Sequence, residues 1–258
     1  MTTDGLPGPV VSSALGRTYR VGRTAVVVSL AVWCVRLARV KRGVAVARRY
    51  WAQPQGPSGG LLYVALGDSA AQGVGASRPD RGYVGLLAER LACTIGRPVQ
   101  VVNLSRSGAT VQDLLREQLP LLQGLRPDLV TVAIGGNDMF RADPDAFDAC
   151  AARLISALPP QTVIADVPYF MHGHWERDAL RAAGSLRRLA SARGLPIVPL
   201  HEALRREGWA AMASQFAADW FHPNDRGYRV WADAFWGAIR ASDLIRQWPG
   251  NPTANSVS

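Results

Sequence analysis

The chain has 258 residues, 48% hydrophobic and 19% charged, the balance of a globular protein with a real core and not of a disordered one. Its formal charge of +9 invites a nucleic-acid reading, which the placement of the charge excludes. Of 29 basic and 20 acidic residues, nine and one lie in residues 1–49, so the remainder carries 20 against 19. The basicity belongs to an N-terminal arm and not to a nucleic-acid-binding face. Cys34, Cys93 and Cys150 are far apart and form no Cys-x-x-Cys pair. That spacing argues against a disulfide framework or a zinc site, and all three read most simply as small buried apolar residues.

Residues 1–16 are rich in Gly, Pro, Ser and Thr and are expected to be disordered. The uncharged run Ala25–Val35 follows, with arginines on both sides. A spanning helix wants about 20 apolar residues, so this run is short unless Arg36 and Arg39 snorkel. It has the length of a signal-peptide core, but Lys41 and Arg42 separate it from the small-x-small site Ala45-Val46-Ala47, unlike a cleavage region. An interfacial or weakly anchored helix, arginine-rich and carrying Trp33, fits better. A helix packing its apolar stripe on the main domain is the alternative. If the run spans, six basic residues after it against three before it leave the main domain on the cytoplasmic face. The expected partner of residues 17–49 is therefore a membrane surface. Gln53–Gly60, rich in Pro and Gly, reads as a linker. The expected organisation is an arm over 1–60, a main domain over 61–246 and a disordered tail over 247–258.

From residue 61 short apolar runs alternate with longer amphipathic ones. The runs Leu61–Leu66, Val99–Leu104, Leu129–Ile134, Thr162–Val167 and Ile197–Leu200 are rich in Val, Ile and Leu and lack period-two alternation. Strands buried on both faces of a parallel sheet read this way. Helical patterns lie between them at Tyr83–Ile95, Val111–Gln123, Ala146–Leu158 and Arg177–Arg193, with a start signal at Asp143-Pro144. Strand starts recur at about thirty to forty residues, as in βαβ units. The pattern predicts an α/β fold, a three-layer α/β/α sandwich around about five parallel strands. A last helix, roughly 226–240, brings Trp231, Phe235 and Trp236 as core.

Ligands of open parallel sheets bind beyond the carboxyl ends of the strands. Gly67-Asp68-Ser69 follows the first strand, Asn103-Leu-Ser-Arg-Ser-Gly108 the second and Gly135-Gly136-Asn137-Asp138 the third, and Asp219-Trp-Phe-His222 lies near the C-terminus. These are the parts of an acyl-transfer site. Ser69 needs a base to become nucleophilic, and His222 is the candidate. Asp219, three residues before His222, is placed to orient it from the same turn. The backbone N–H groups of Ser69 and Gly108 and the side-chain amide of Asn137 are candidate oxyanion donors. Gly108 is apt because it lets the backbone approach the reacting carbon closely.

These four blocks, in this order after the strands, resemble the SGNH/GDSL hydrolase superfamily of esterases, lipases and acyl-modifying enzymes, over Leu61 to about Arg240. The resemblance implies a flavodoxin-like fold, with Ser69 as nucleophile, Ser69, Gly108 and Asn137 as the oxyanion hole, and Asp219 and His222 completing a triad. Ala70 stands where the family name implies leucine, a departure that bears on packing more than on chemistry.

Asp68 reads as structural, bonding backbone amides at its turn, and Asp138 has no assigned chemistry. Arg106, His172 and His174 are candidates for lining a substrate cleft, and His201 reads as a structural or surface histidine. Two histidines without further ligands make a poor metal site. No Gly-x-Ser-x-Gly follows a predicted strand, as a nucleophile elbow would, and no Walker A loop or Gly-x-Gly-x-x-Gly occurs. No cofactor or metal is implied. The expected activity is a serine esterase working through an acyl-enzyme on a small-molecule or lipid ester. The alternatives are an acyltransferase of the same fold and a non-catalytic membrane-associated binding module.

Overall fold

Five apolar runs form a single parallel sheet. Its strands are β1 (Leu61–Gly67), β2 (Val99–Asn103), β3 (Leu129–Ala133), β4 (Thr162–Ala165) and β5 (Ile197–Val198), in the order β2-β1-β3-β4-β5. The structure is a computed structural model, and it describes residues 35, 38, 41–140, 143–171, 173–208, 210–245 and 248. The chain divides into two units, Met1–Arg39 and Val40–Ser258, and the sheet belongs to the second. The apolar run at 25–35 lies outside the described residues apart from Val35, as do the segment 1–16 and Cys34. No helix among the described residues is long and apolar enough to cross a membrane.

Alternate side chains of each strand enter opposite layers. Tyr63, Ala65, Leu129 and Val198 pack under α1 (41–50), α2 (Tyr83–Ile95) and α9 (Asp225–Ala241). Val64, Leu66, Val130, Val132 and Ile164 pack under α3 (Val111–Asp113), α4 (Leu119–Gln123), α5 (Pro144–Ala157) and α6 (Gly173–Ala192). Both faces are apolar, which is why the strands show no alternation in sequence. Trp231 and Phe235 of α9 are buried, and Tyr83 stacks on Phe235 at 4.7 Å between ring centroids. Trp236 is half-buried at the edge of the same cluster. Two short helices, α7 (Leu200–Glu207) and α8 (Ala210–Gln215), lie between β5 and α9.

Four expectations change. The stretch read as a linker is part of the domain: Gln55 pairs antiparallel with Val101, its N–H and C=O bonding at 2.9 and 2.8 Å, and so covers the edge of β2. Just before it, Ala47 and Trp51 are buried in the core, and the Trp51 indole N–H donates to Gln72 O at 3.1 Å. At the other end Trp248 is buried and its indole donates to Asp128 O at 3.2 Å, so the domain runs past 246. Cys93 is exposed and Cys150 partly so, not buried. The predicted helix Val111–Gln123 forms with a π-helical turn at Leu114–Gln118 in its middle.

Removing the Trp51 ring leaves a cavity and an orphaned carbonyl. Trp51→Ala should cost about 3–5 kcal/mol in urea unfolding. A loss below about 1 kcal/mol would mean that α1 is not part of the folded core.

Candidate active site

Ser69 stands two residues past β1, at the β1/β3 switch point where the strand order reverses. Its turn is braced from several sides. Gly67 N–H donates to Gln118 Oε1 (2.9 Å) and Gln118 Nε2 to Gly67 O (2.8 Å). The π-helical turn thus delivers a buried amide that satisfies the backbone where β1 ends. Asn103 Nδ2 donates to Ala71 O (2.8 Å), and Gln72 Nε2 to Ser105 O (2.8 Å).

His222 arrives from the loop before α9. Its Nε2 lies 2.8 Å from Ser69 Oγ, and its Nδ1 lies 2.6 Å from Asp219 Oδ2. Asp219 Oδ1 also accepts the backbone N–H groups of Phe221 (3.1 Å) and His222 (3.0 Å). Partial burial alone would raise the Asp219 carboxyl. The His222 bond and charge and the two amides outweigh it and hold the carboxyl below its ordinary value. An ionised carboxylate only accepts, so Nδ1 carries the proton and Nε2 is left to accept from the serine hydroxyl. Gly75 makes room for this: at φ 98°, an added Cβ would lie 2.8 Å from His222 Cβ and 2.5 Å from Pro223 O. Sequence reading missed Gly75 because the demand on it comes from a residue 147 positions later.

On the other side of Ser69, the loops after β2 and β3 are tied together. Asn137 Nδ2 donates to Ala109 O (3.0 Å) and to Asp68 Oδ2 (3.3 Å). Val111 N–H donates to both oxygens of Asp138 at 3.2 Å. Asp138, without a role in the sequence reading, therefore anchors the start of α3 to the Asn137 loop. Gly108 has φ 78°, and an added Cβ would meet no protein atom within 4 Å, so the glycine is required by backbone conformation. Asp68 also accepts the Ala70 N–H at 2.9 Å, the structural part expected of it. Burial pushes its carboxyl up to about 6, against the opposing pull of that amide and of His222.

Ser69, Asn137 and His222 line a cavity of about 310 Å³ whose walls are mainly apolar, among them Ile134, Pro168 and Leu200. Phe140, Trp175, Trp220 and Phe221 stand exposed in its lining. Gly108, Arg106 and His174 lie outside that lining. The Arg106 guanidinium pairs with Glu117 (2.6 Å) and Asp113 (3.4 Å). His174 packs its ring on Trp175 at 4.9 Å, and His172 lies outside the described residues. His201 is buried, bonded through Nε2 to Glu176 Oε1 at 2.9 Å, a structural histidine as expected. No group of three or more metal-ligating side chains occurs among the described residues.

A serine, a histidine and a carboxylate bonded in series at the switch point of a parallel sheet define a serine hydrolase of the flavodoxin-like architecture. The sequence profile of the GDSL-like lipase/acylhydrolase family matches residues 65–230, and the chain belongs to that family. Its enzymes are serine ester hydrolases. Among solved structures, the chain is similar to LAE5, an alpha/beta hydrolase enzyme from the metagenome of Lake Arreo, Spain, with 26% identity, 70% of this chain and 95% of that one covered, and TM-score 0.60. It is also similar to Axe2, an acetylxylan esterase from Geobacillus stearothermophilus (23% identity, 69% and 94% covered, TM-score 0.59). A lipase/acylhydrolase from Enterococcus faecalis shares the fold as well (20%, 70% and 96%, 0.59). Among curated proteins none matches the chain.

Asp68 gives the site a pH signature. Its folded value lies above the unfolded one, so its contribution to stability is full below about pH 4 and is lost as pH rises through about 6. The stability of the wild type relative to Asp68→Asn should fall by roughly 2–3 kcal/mol between pH 4 and pH 7.5. A difference that does not change with pH would show that Asp68 does not titrate there.

Proposed function

We propose that the protein hydrolyses carboxylic esters bearing an apolar group, lipid-derived esters being the natural class, through an acyl-enzyme on Ser69. The observation that carries this is the Ser69–His222–Asp219 series opening into an apolar cavity of about 310 Å³. A cavity of that size is at the small end for ligand sites, which fits one acyl chain better than a bulky glycan.

In this reading Ser69 Oγ attacks the ester carbonyl while His222 Nε2 takes the serine proton. The developing oxyanion is met by the Ser69 and Gly108 N–H groups and by Asn137 Nδ2, whose longer bond to Asp68 is the one that yields. Collapse breaks the carbonyl–oxygen bond to the alcohol, and His222 returns the proton to that leaving oxygen. Water then enters the same position and its oxygen attacks the acyl carbon as His222 Nε2 takes one of its protons; collapse breaks the bond to Ser69 Oγ, which receives that proton from His222 as the acid leaves. Arg106 has no part in this reading, because its charge is already paired.

The proposal includes contact with a membrane surface through residues 17–49, on the cytoplasmic face. Its support is the charge of the arm and the exposure of Lys41, Arg42, Arg48 and Arg49 on α1. Flotation with anionic vesicles but not with neutral ones is the expected result; no flotation with either would remove it.

The chemistry is tested by hydrolysis of p-nitrophenyl esters from acetate to palmitate. Turnover by the full chain should fall by about 10⁴-fold or more in Ser69→Ala. Turnover that survives in the variant would refute the serine mechanism.

A further inference from the structure

We infer that Trp220 selects the leaving alcohol, and that the preferred esters carry an apolar, ring-bearing alcohol; the inference rests on the esterase reading above. Among the described residues Trp220 is the one non-glycine residue with positive φ, at 58°. Left-handed backbone crowds the Cβ of any L residue against the following carbonyl, and it is most unusual for a bulky one.

The turn is bonded through backbone and Asp219. Trp220 N–H donates to Ala217 O at 3.0 Å, and Ala217 N–H donates to His222 O at 2.8 Å. Asp219 Oδ1 ties down the next two amides. Every one of these bonds uses backbone or Asp219, so glycine or asparagine at 220 would hold the same turn with less strain. A strained residue kept where a relaxed one would serve points to work done by its side chain.

That side chain is placed at the reaction. Trp220 lines the cavity that holds Ser69 and His222, yet it is 50% exposed, with Phe221 beside it 42% exposed. The Phe221 ring meets the His222 imidazole edge-on at 4.9 Å and continues to Phe140 at 5.8 Å. Phe140 contacts Trp175 at 5.0 Å. The result is an aromatic rim, open to solvent, that starts at Phe221 beside His222 and runs to Phe140 and Trp175 across the mouth of the cavity.

The chemistry assigns the two halves. His222 Nε2 must come within about 3 Å of the alcohol oxygen to protonate it. Groups contiguous with His222 therefore border the alcohol, while the buried wall at Ile134 and Leu200 is left for the acyl group. Aromatic rings on that rim hold a ring-bearing alcohol by edge-to-face or offset stacking. Their opening to solvent gives the alcohol its exit once acylation has occurred.

The test compares the full-length wild type with Trp220→Gly and Trp220→Asn on two ester series. One fixes the acetyl group and varies the alcohol from ethyl through phenyl to 2-naphthyl. The other fixes ethanol and lengthens the acyl group from acetyl to octanoyl. Intrinsic leaving-group reactivity cancels when each variant is divided by the wild type. Both variants should lower the naphthyl-to-ethyl ratio of kcat/KM at least tenfold, mainly through KM, while the octanoyl-to-acetyl ratio stays within twofold. Their thermal midpoints should not fall. An unchanged alcohol ratio, or a loss carried by the acyl series, overturns the inference. So does a uniform loss on all esters with a lowered midpoint, which would make Trp220 a support of the turn. A wild type inactive on every ester would overturn the esterase reading beneath it, a distinct result.

Discussion

A single hydrogen bond, 2.8 Å between Ser69 Oγ and His222 Nε2, joins residues 153 positions apart in the chain. Nothing local holds it. The serine is delivered by β1, whose position is set by parallel pairing with β2 and β3. The histidine is delivered by the loop before α9, whose position is set by packing on α2 and the sheet. Tyr228 of α9 links the two by donating to Val74 O at 2.7 Å, one residue before Gly75. An error of an ångström in the seating of α9 would break the bond, so the core on that face is a condition of the chemistry as well as of the fold.

Two carboxyl groups flank the histidine system in opposite environments. Asp219 is partly exposed and held by the imidazole and two amides, which keeps it ionised and fixes the ring. Asp68 is buried beside the nucleophile and is pushed up by desolvation. Pairs of titratable groups driven apart in this way are a mark of catalytic sites. Asp68 also holds the Asn137 amide, and Asp138 holds the start of α3. The loops on the far side of Ser69 are therefore tied to each other and to the turn that carries the serine.

Much of this was legible in the residues. Uninterrupted runs of Val, Ile and Leu gave the five strands, because a strand buried on both faces has no polar side to show. The blocks at Ser69 and Asn137 stood out because they follow strands, and the block at His222 because an acid lies three residues before it; the fold brings Ser69 and His222 to 2.8 Å. Cys93 was open to a better reading: the buried positions of α2, Val84, Leu87, Leu91 and Ile95, leave residue 93 on the outer face. Other features could not be read. Gln53–Gly60 has linker composition, and only the exposed edge of β2 turns Gln55 into a strand partner. The π-helical turn that aims Gln118, the room made by Gly75 and the left-handed backbone of Trp220 all answer to neighbours remote in sequence.

The central claim is that Ser69 is the activated nucleophile and that His222 activates it. The most direct measurement is stoichiometric labelling of the full chain by a fluorophosphonate, with the adduct located by peptide mass spectrometry. The account predicts one adduct per chain, on Ser69, formed rapidly in the wild type and lost in His222→Ala. An adduct on another residue, or labelling of Ser69 at the same rate without the imidazole, would contradict it.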